Sequence, residues 1–68
     1  MNVTLNGESV DLVGDATVAD AVQAAGVAGD ARGVAVAIGG EVVPRGEWKQ
    51  RELREGENLE VVHAVQGG

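Results

Sequence analysis

Asn2-Val3-Thr4-Leu5-Asn6-Gly7-Glu8-Ser9-Val10-Asp11-Leu12 opens the chain, and the segments after it have to pack on what it forms. Val3 and Leu5 alternate with Asn2, Thr4 and Asn6, which is the period-two pattern of a half-buried strand. Asn6-Gly7 is the strongest short hairpin signal, because both residues tolerate the positive φ of a type I′ turn. From Glu8 to Leu12 the alternation resumes, with Val10 and Leu12 inward and Ser9 and Asp11 outward. A hairpin exposes one apolar face that it cannot bury by itself.

A helix is expected to cover that face. Gly14-Asp15 breaks the second strand, and Thr17 stands as an N-cap with Asp20 three residues on as its capping-box partner. Val18, Ala21, Val22 and Ala25 recur at the spacing of one helix face, and Gly26 follows as the C′ residue. About nine residues make a helix too short to persist alone, so it must lie across the sheet. Its narrow stripe of small side chains reads as core packing rather than as a partner-binding surface.

Val27 to Gly33 reads as a loop, with Gly29-Asp30 and Gly33 as breakers. The apolar run Val34-Ala35-Val36-Ala37-Ile38 is expected to be an interior strand, covered on one face and lightly polar on the other. Gly39-Gly40 turns the chain into a short strand, Glu41-Val42-Val43, which Pro44 must end because it has no N–H for a ladder. The charged stretch Lys49 to Glu55 reads as an irregular connection or helical turn anchored by Leu53. Its mixed signs suit a solvated face better than a binding patch. Trp48 is expected to plug the edge of a small core, and Arg45 has no assigned role. Arg54-Glu55-Gly56-Glu57 is a turn. The last strand is expected over Asn58 to Val65, with Leu59 and Val61 inward and Glu60 and Val62 outward. The single His63, with no nucleophile or orienting acid near it in sequence, reads as a surface residue rather than a general acid or base.

Composition narrows the function. With 68 residues the chain is one domain near the lower limit for an unstapled core, with little room for a buried catalytic pocket. It has no Cys and one His, which excludes disulfides and thiolate metal sites, and no carboxylate cluster suggests another kind of metal site. The formal charge of −6, from 11 acidic and 5 basic residues, argues against nucleic acid or an anionic membrane as partner and favours a basic protein surface. Trp48 is the sole aromatic residue, so a base-stacking platform is missing. Met1 to Val10 carry neither a basic n-region nor a long apolar run, and a cytoplasmic location is expected.

The remaining feature is the tail, Gln66-Gly67-Gly68. Neither terminal glycine has a Cβ, so the backbone can enter a narrow slot and adopt φ values closed to other residues. A carboxylate presented this way can reach an active site, be activated as an acyl phosphate or adenylate, and then meet a thiol or sulfur donor at an unshielded carbonyl. Because 11 of the 68 residues are glycine, chance alone gives such a doublet in roughly 3% of cases, so the doublet needs support from context.

The element order is strand, strand, helix, strand, short strand, strand. It fits an α+β, β-grasp (ubiquitin-like) architecture: a mixed sheet of four to five strands with one crossing helix. In that fold the last strand lies near the middle, parallel to the first. Residues 1–65 are expected to form the domain and residues 66–68 a flexible reactive tail. The chain resembles the ThiS family of ubiquitin-like sulfur carriers of thiamine biosynthesis along essentially its whole length. The resemblance is carried by the Asn6-Gly7-Glu8 turn, Thr17-Val18-Ala19-Asp20-Ala21-Val22, Val34 to Ile38, Val42-Val43-Pro44-Arg45 with Trp48, Glu55-Gly56-Glu57 and the terminal Gly67-Gly68. The Val-Pro-Arg-x-x-Trp segment together with the doublet is its most specific part.

The resemblance implies a carrier and not an enzyme. The Gly68 carboxylate would be adenylated by a ThiF-type, E1-like adenylyltransferase and converted to a thiocarboxylate that delivers sulfur to a thiazole synthase of the ThiG type. A sulfur donor such as a cysteine desulfurase would supply the sulfur. No cofactor is expected on this chain, since ATP and Mg²⁺ belong to the activating partner, and the free protein is expected to be a monomer. For docking, the analogy nominates the outward side of the last strand, chiefly Val62, with Val65 and Gln66. Gln66 departs from the small or apolar residue that some relatives carry there. A MoaD-like subunit of molybdopterin synthase shares the chemistry, but such chains are usually longer and lack the Pro-Arg-x-x-Trp pattern. Carriers feeding cysteine, methionine or secondary metabolites, a protein modifier joined through Gly68 to lysines, and a purely structural interaction domain are the other readings.

Overall fold

The computed structural model describes residues 1–26 and 33–63. Its elements are β1 (Asn2–Leu5), β2 (Glu8–Asp11), α1 (Val18–Ala24), β3 (Val34–Ile38), β4 (Glu41–Val43), a 3-10 turn (Arg45–Glu47) and β5 (Asn58–His63). The five strands make one sheet in the order β2-β1-β5-β3-β4. β5 runs parallel to β1, and the other neighbours are antiparallel. This is the expected β-grasp arrangement, with the last strand in the middle. The loop expected from Val27 onward lies outside the described residues except for Gly33, as do Ala64 and Val65 of the last strand and the boundary expected at residue 65.

Two turns set the registers. Asn6 and Gly7 sit at φ 52° and 84°, and Gly39 and Gly40 at 57° and 89°, the paired positive values that a type I′ hairpin requires. They place Leu5 opposite Glu8 and Ile38 opposite Glu41. A one-residue slip in either hairpin would turn its buried face to water.

The helix starts where the sequence predicts. Asp20 Oδ2 accepts from the Thr17 N–H at 2.8 Å, which is the acidic half of the capping box. Gly26 closes the helix at φ 85°. The next donors, Val18 N–H and Ala19 N–H, are met by the carbonyls of Arg51 and Trp48 at 2.9 and 3.0 Å, and Leu53 N–H returns to the Ala16 carbonyl at 2.9 Å. Residues 48–53 therefore clamp the start of α1, an arrangement beyond the reach of local sequence rules.

The core lies between α1 and one face of the sheet. Val3 and Leu5 of β1, Leu59 and Val61 of β5, Val36 and Ile38 of β3, and Val43 meet Val18, Ala21 and Val22 of the helix, with Trp48 and Leu53 closing the edge. Trp48 is buried, as expected for an edge plug, and its indole N–H donates to the Val43 carbonyl at 3.0 Å. Arg45 lies over the indole ring, 5.9 Å from its centre. Lys49, Arg51, Glu52, Arg54 and Glu55 are exposed, so the mixed-sign run is the solvated face predicted for it. One expectation is corrected. The outward face of β3 is not polar, because Ala35 and Ala37 occupy it, opposite Val62 on one side and Val42 on the other.

Leu59→Ala is expected to cost about 2–5 kcal/mol through lost burial and the cavity left behind. That is comparable to the whole stability of a domain this small, so urea titration should find a large unfolded fraction before any denaturant is added. Trp48→Phe should cost roughly 1–2 kcal/mol by removing the bond to Val43. Arg45→Ala should cost less than about 1 kcal/mol, as an exposed cation–π contact does. Thermal unfolding of the pair checks the order.

Candidate functional site

The pleat that turns Leu59 and Val61 into the core turns Glu60 and Val62 to the opposite face. Ladder partners extend that outer face sideways: Ala35 stands opposite Val62, while Ala37 stands opposite both Glu60 and Val42. Val42 and Val62 are 72% and 58% exposed, so they and the two alanines form a low apolar patch across β5, β3 and β4. The same face continues over β1 and β2 as a polar half. There Asn2 and Thr4 oppose Asp11 and Ser9, Asn2 and Ser9 exchange side-chain hydrogen bonds at 2.7 and 3.0 Å, and the N-terminal ammonium lies 3.3 Å from Asp11.

Side-chain charge on the described part of this face is acidic, and its one positive group is the N-terminal ammonium beside Asp11 at the far edge. The strands contain no Lys or Arg, and Glu60 borders the apolar patch. Arg45, Lys49, Arg51 and Arg54 all belong to the segment between β4 and β5, and Arg51 lies 3.6 Å from Glu57 there. An approaching protein therefore meets apolar contact area with an acidic border. That combination fits an apolar patch rimmed by basic side chains.

Of the nominated site residues, Val62 is on this face and exposed. Val65, Gln66, Gly67 and Gly68 lie outside the described residues. His63 pairs through its backbone with Val34. Among the described residues no polar or charged side chain is buried, and no three His, Cys or acidic side chains stand close enough to hold a metal ion. No described helix is long and apolar enough to cross a membrane. Val42, Ala35 and Ala37 were missed as members of the face. Their signal was the unbroken apolar run at residues 34–38 beside a two-residue glycine turn, which makes both faces of the β3–β4 hairpin apolar.

The end at which β5 leaves the sheet is set by its direction. Running parallel to β1, it finishes beside the Asn6-Gly7 turn and opposite the start of β3. Five residues follow His63 in the sequence, and five residues can span at most about 17 Å.

Comparison with known proteins agrees with this geometry. A crystal structure of a thiamine biosynthesis protein (ThiS) from Geobacter metallireducens is 30% identical, with a TM-score of 0.78 and full coverage of both chains. A solution structure of a thiamine biosynthesis protein from the same organism is 31% identical with a TM-score of 0.79, covering all of this chain and 88% of that one. SAMP1 from Haloferax volcanii is 26% identical with a TM-score of 0.65, covering 98% of this chain and 97% of that one. No curated protein sequence matches the chain. The family model for ThiS matches residues 3–68, a span that takes in the hairpin, the outer face and the terminal glycines, and the chain belongs to the ThiS family.

Proposed function

We propose that this protein is a sulfur carrier of thiamine biosynthesis that works through the carboxylate of Gly68. The observation that carries the reading is the match to the ThiS family from residue 3 to residue 68, which includes the terminal doublet and joins it to a central strand flanked by an exposed apolar face. The Gly68 carboxylate attacks the α-phosphorus of ATP in a ThiF-type adenylyltransferase, forming an acyl adenylate and releasing pyrophosphate. A hydrosulfide ion, freed from the persulfide of a cysteine desulfurase by a thiol reductant that is oxidised to a disulfide, then attacks the carbonyl carbon and expels AMP. The product is a thiocarboxylate, which gives its sulfur to a thiazole synthase.

The parts of the chain divide this work. Gly67 and Gly68 offer a carbonyl with no side chain beside it, so a narrow active-site channel admits them and a nucleophile meets no steric screen. The patch of Val42, Val62, Ala35 and Ala37 supplies contact area for the adenylyltransferase, with Glu60 steering a basic rim toward it and Val65 and Gln66 extending the contact along the tail. ATP and Mg²⁺ act in the partner. This chain contributes the acyl group and the surface by which it is recognised.

Incubation with the adenylyltransferase, ATP, Mg²⁺ and a sulfur donor should raise the intact mass by the exchange of one oxygen for sulfur, and deletion of Gly68 should abolish the change. Adducts of much higher mass would instead identify a protein modifier, and an unchanged mass would sink the carrier reading. Val62→Ser and Val42→Ser should leave the melting temperature almost unchanged, because both residues are exposed. Each should raise the KM for the carrier in pyrophosphate release about tenfold, the effect of losing roughly 1.4 kcal/mol of interface contact. Glu60→Lys should slow association and weaken its dependence on salt.

A further inference from the structure

Pairing between β1 and β5 ought to stop where β1 stops. β1 ends at Leu5 and the chain reverses through Asn6-Gly7, whereas β5 continues to His63. On this side of β5 the Thr4 N–H donates to the Glu57 carbonyl at 2.8 Å and the Asn6 N–H to the Leu59 carbonyl at 2.9 Å. The next groups on the same edge are the N–H and C=O of Val61. A parallel neighbour would meet them with the carbonyl of residue 6 and the amide of residue 8, and the hairpin turn has carried the backbone away.

The Asn6 side chain takes that place. Val61 N–H donates to Asn6 Oδ1 at 2.8 Å, and Asn6 Nδ2 donates to the Val61 carbonyl at 3.2 Å. A carboxamide carries the same donor and acceptor as a peptide unit, so one side chain extends the ladder by a step beyond the end of its own strand. The positive φ of Asn6 alone does not account for the residue, since glycine meets that demand with less strain. The two bonds to Val61 are what the amide adds. Beyond Val61 the described pairing of β5 comes from β3, through Ala35 opposite Val62 and Val34 opposite His63. Asn6 is thus the last described support on the β1 side before the chain runs on to Gly68.

We infer that Asn6 is a positioning residue for activation of the C-terminus. By standing in for a peptide of β1 it holds the end of β5 flat in the sheet, and so sets the direction from which Gly68 enters the active site of an enzyme docked on the Val42 and Val62 face. The inference rests on the sulfur-carrier reading. Its structural half concerns the free protein and is tested there.

The test uses the full chain with Asn6→Gly, which keeps the turn and removes the amide, and Asn6→Asp, which keeps an acceptor for the Val61 N–H and loses the donor. Amide exchange followed by NMR in the free carrier should quicken at Val61 by about tenfold in Asn6→Gly, with the Val3 and Val36 amides unchanged. In pyrophosphate release by the adenylyltransferase, kcat should fall severalfold with KM for the carrier unchanged, the opposite of the split expected for Val62→Ser. Asn6→Asp should restore part of both effects. Unchanged exchange at Val61, or an unchanged kcat, overturns the inference. So does faster exchange throughout the sheet, which would make Asn6 a support of the whole fold. Wild-type protein that neither drives pyrophosphate release nor gains sulfur would instead defeat the carrier reading, an outcome distinct from an active wild type with an equally active Asn6→Gly.

Discussion

The rest of the molecule depends on the insertion of the last strand between the first and the third. β5 has a neighbour on each side, β1 parallel and β3 antiparallel, and Leu59 at its start is fully buried. Thr4 pairs with Asn58, so nearly the whole chain must be closed as a loop before the core is complete. That closure costs entropy before it returns any contact energy. The hairpin and the capped helix are local, and they provide the platform on which the late strand is received. The parallel direction has a second consequence: it fixes the end of the sheet from which the C-terminal segment departs.

With the centre of the sheet occupied by the strand that carries the tail, the two faces have different duties. The centre of the inner face is apolar, with Glu8 and Glu41 only at its two edges, and it is covered by α1, whose first turn is held by the carbonyls of Trp48 and Arg51. The segment between β4 and β5 is therefore a structural clamp, and placing four basic residues there removes positive charge from the strands. The outer face is left apolar on one half and polar or acidic on the other. For the proposed carrier such a layout separates recognition, on the folded body, from chemistry, at Gly68.

Most of the fold was legible because local rules agreed with the tertiary arrangement. Asn6-Gly7, Thr17 with Asp20, Gly26, Gly39-Gly40 and Pro44 each act within a few residues, and each did what its chemistry requires. Leu53 was legible as an anchor because it is an isolated apolar residue in a charged run. What escaped was non-local. The clamp on the helix start joins residues 16–19 to residues 48–53, and nothing in either stretch names the other. Asn6 was legible as a turn residue, but its bonds to Val61 cross 55 positions. The polarity of the outer face was misjudged because alanine is read as neutral filler, although two alanines between two valines make a continuous apolar surface. Gly67 and Gly68 lie outside the described residues, so the chemistry read from them belongs to the proposed function.

An exposed apolar face on an open sheet is also a hazard, and the way this chain contains the hazard supports a functional reason for keeping it. Val42 is the most exposed large apolar side chain described, and it lies on an edge strand, where unpaired backbone groups invite pairing with another copy. β4 is only three residues long and is bracketed by Glu41 and Pro44, so it offers little length for a foreign strand and ends at a residue that cannot donate. At the opposite edge β2 carries Glu8 and Asp11. A net charge of −6 adds repulsion between copies. Replacing Val42 and Val62 with polar residues would remove the hazard at almost no cost to the core, because neither contributes to it. An exposed apolar pair beside guarded edges is the layout that the proposed docking of a partner on this face requires, since it leaves contact area open while limiting self-association.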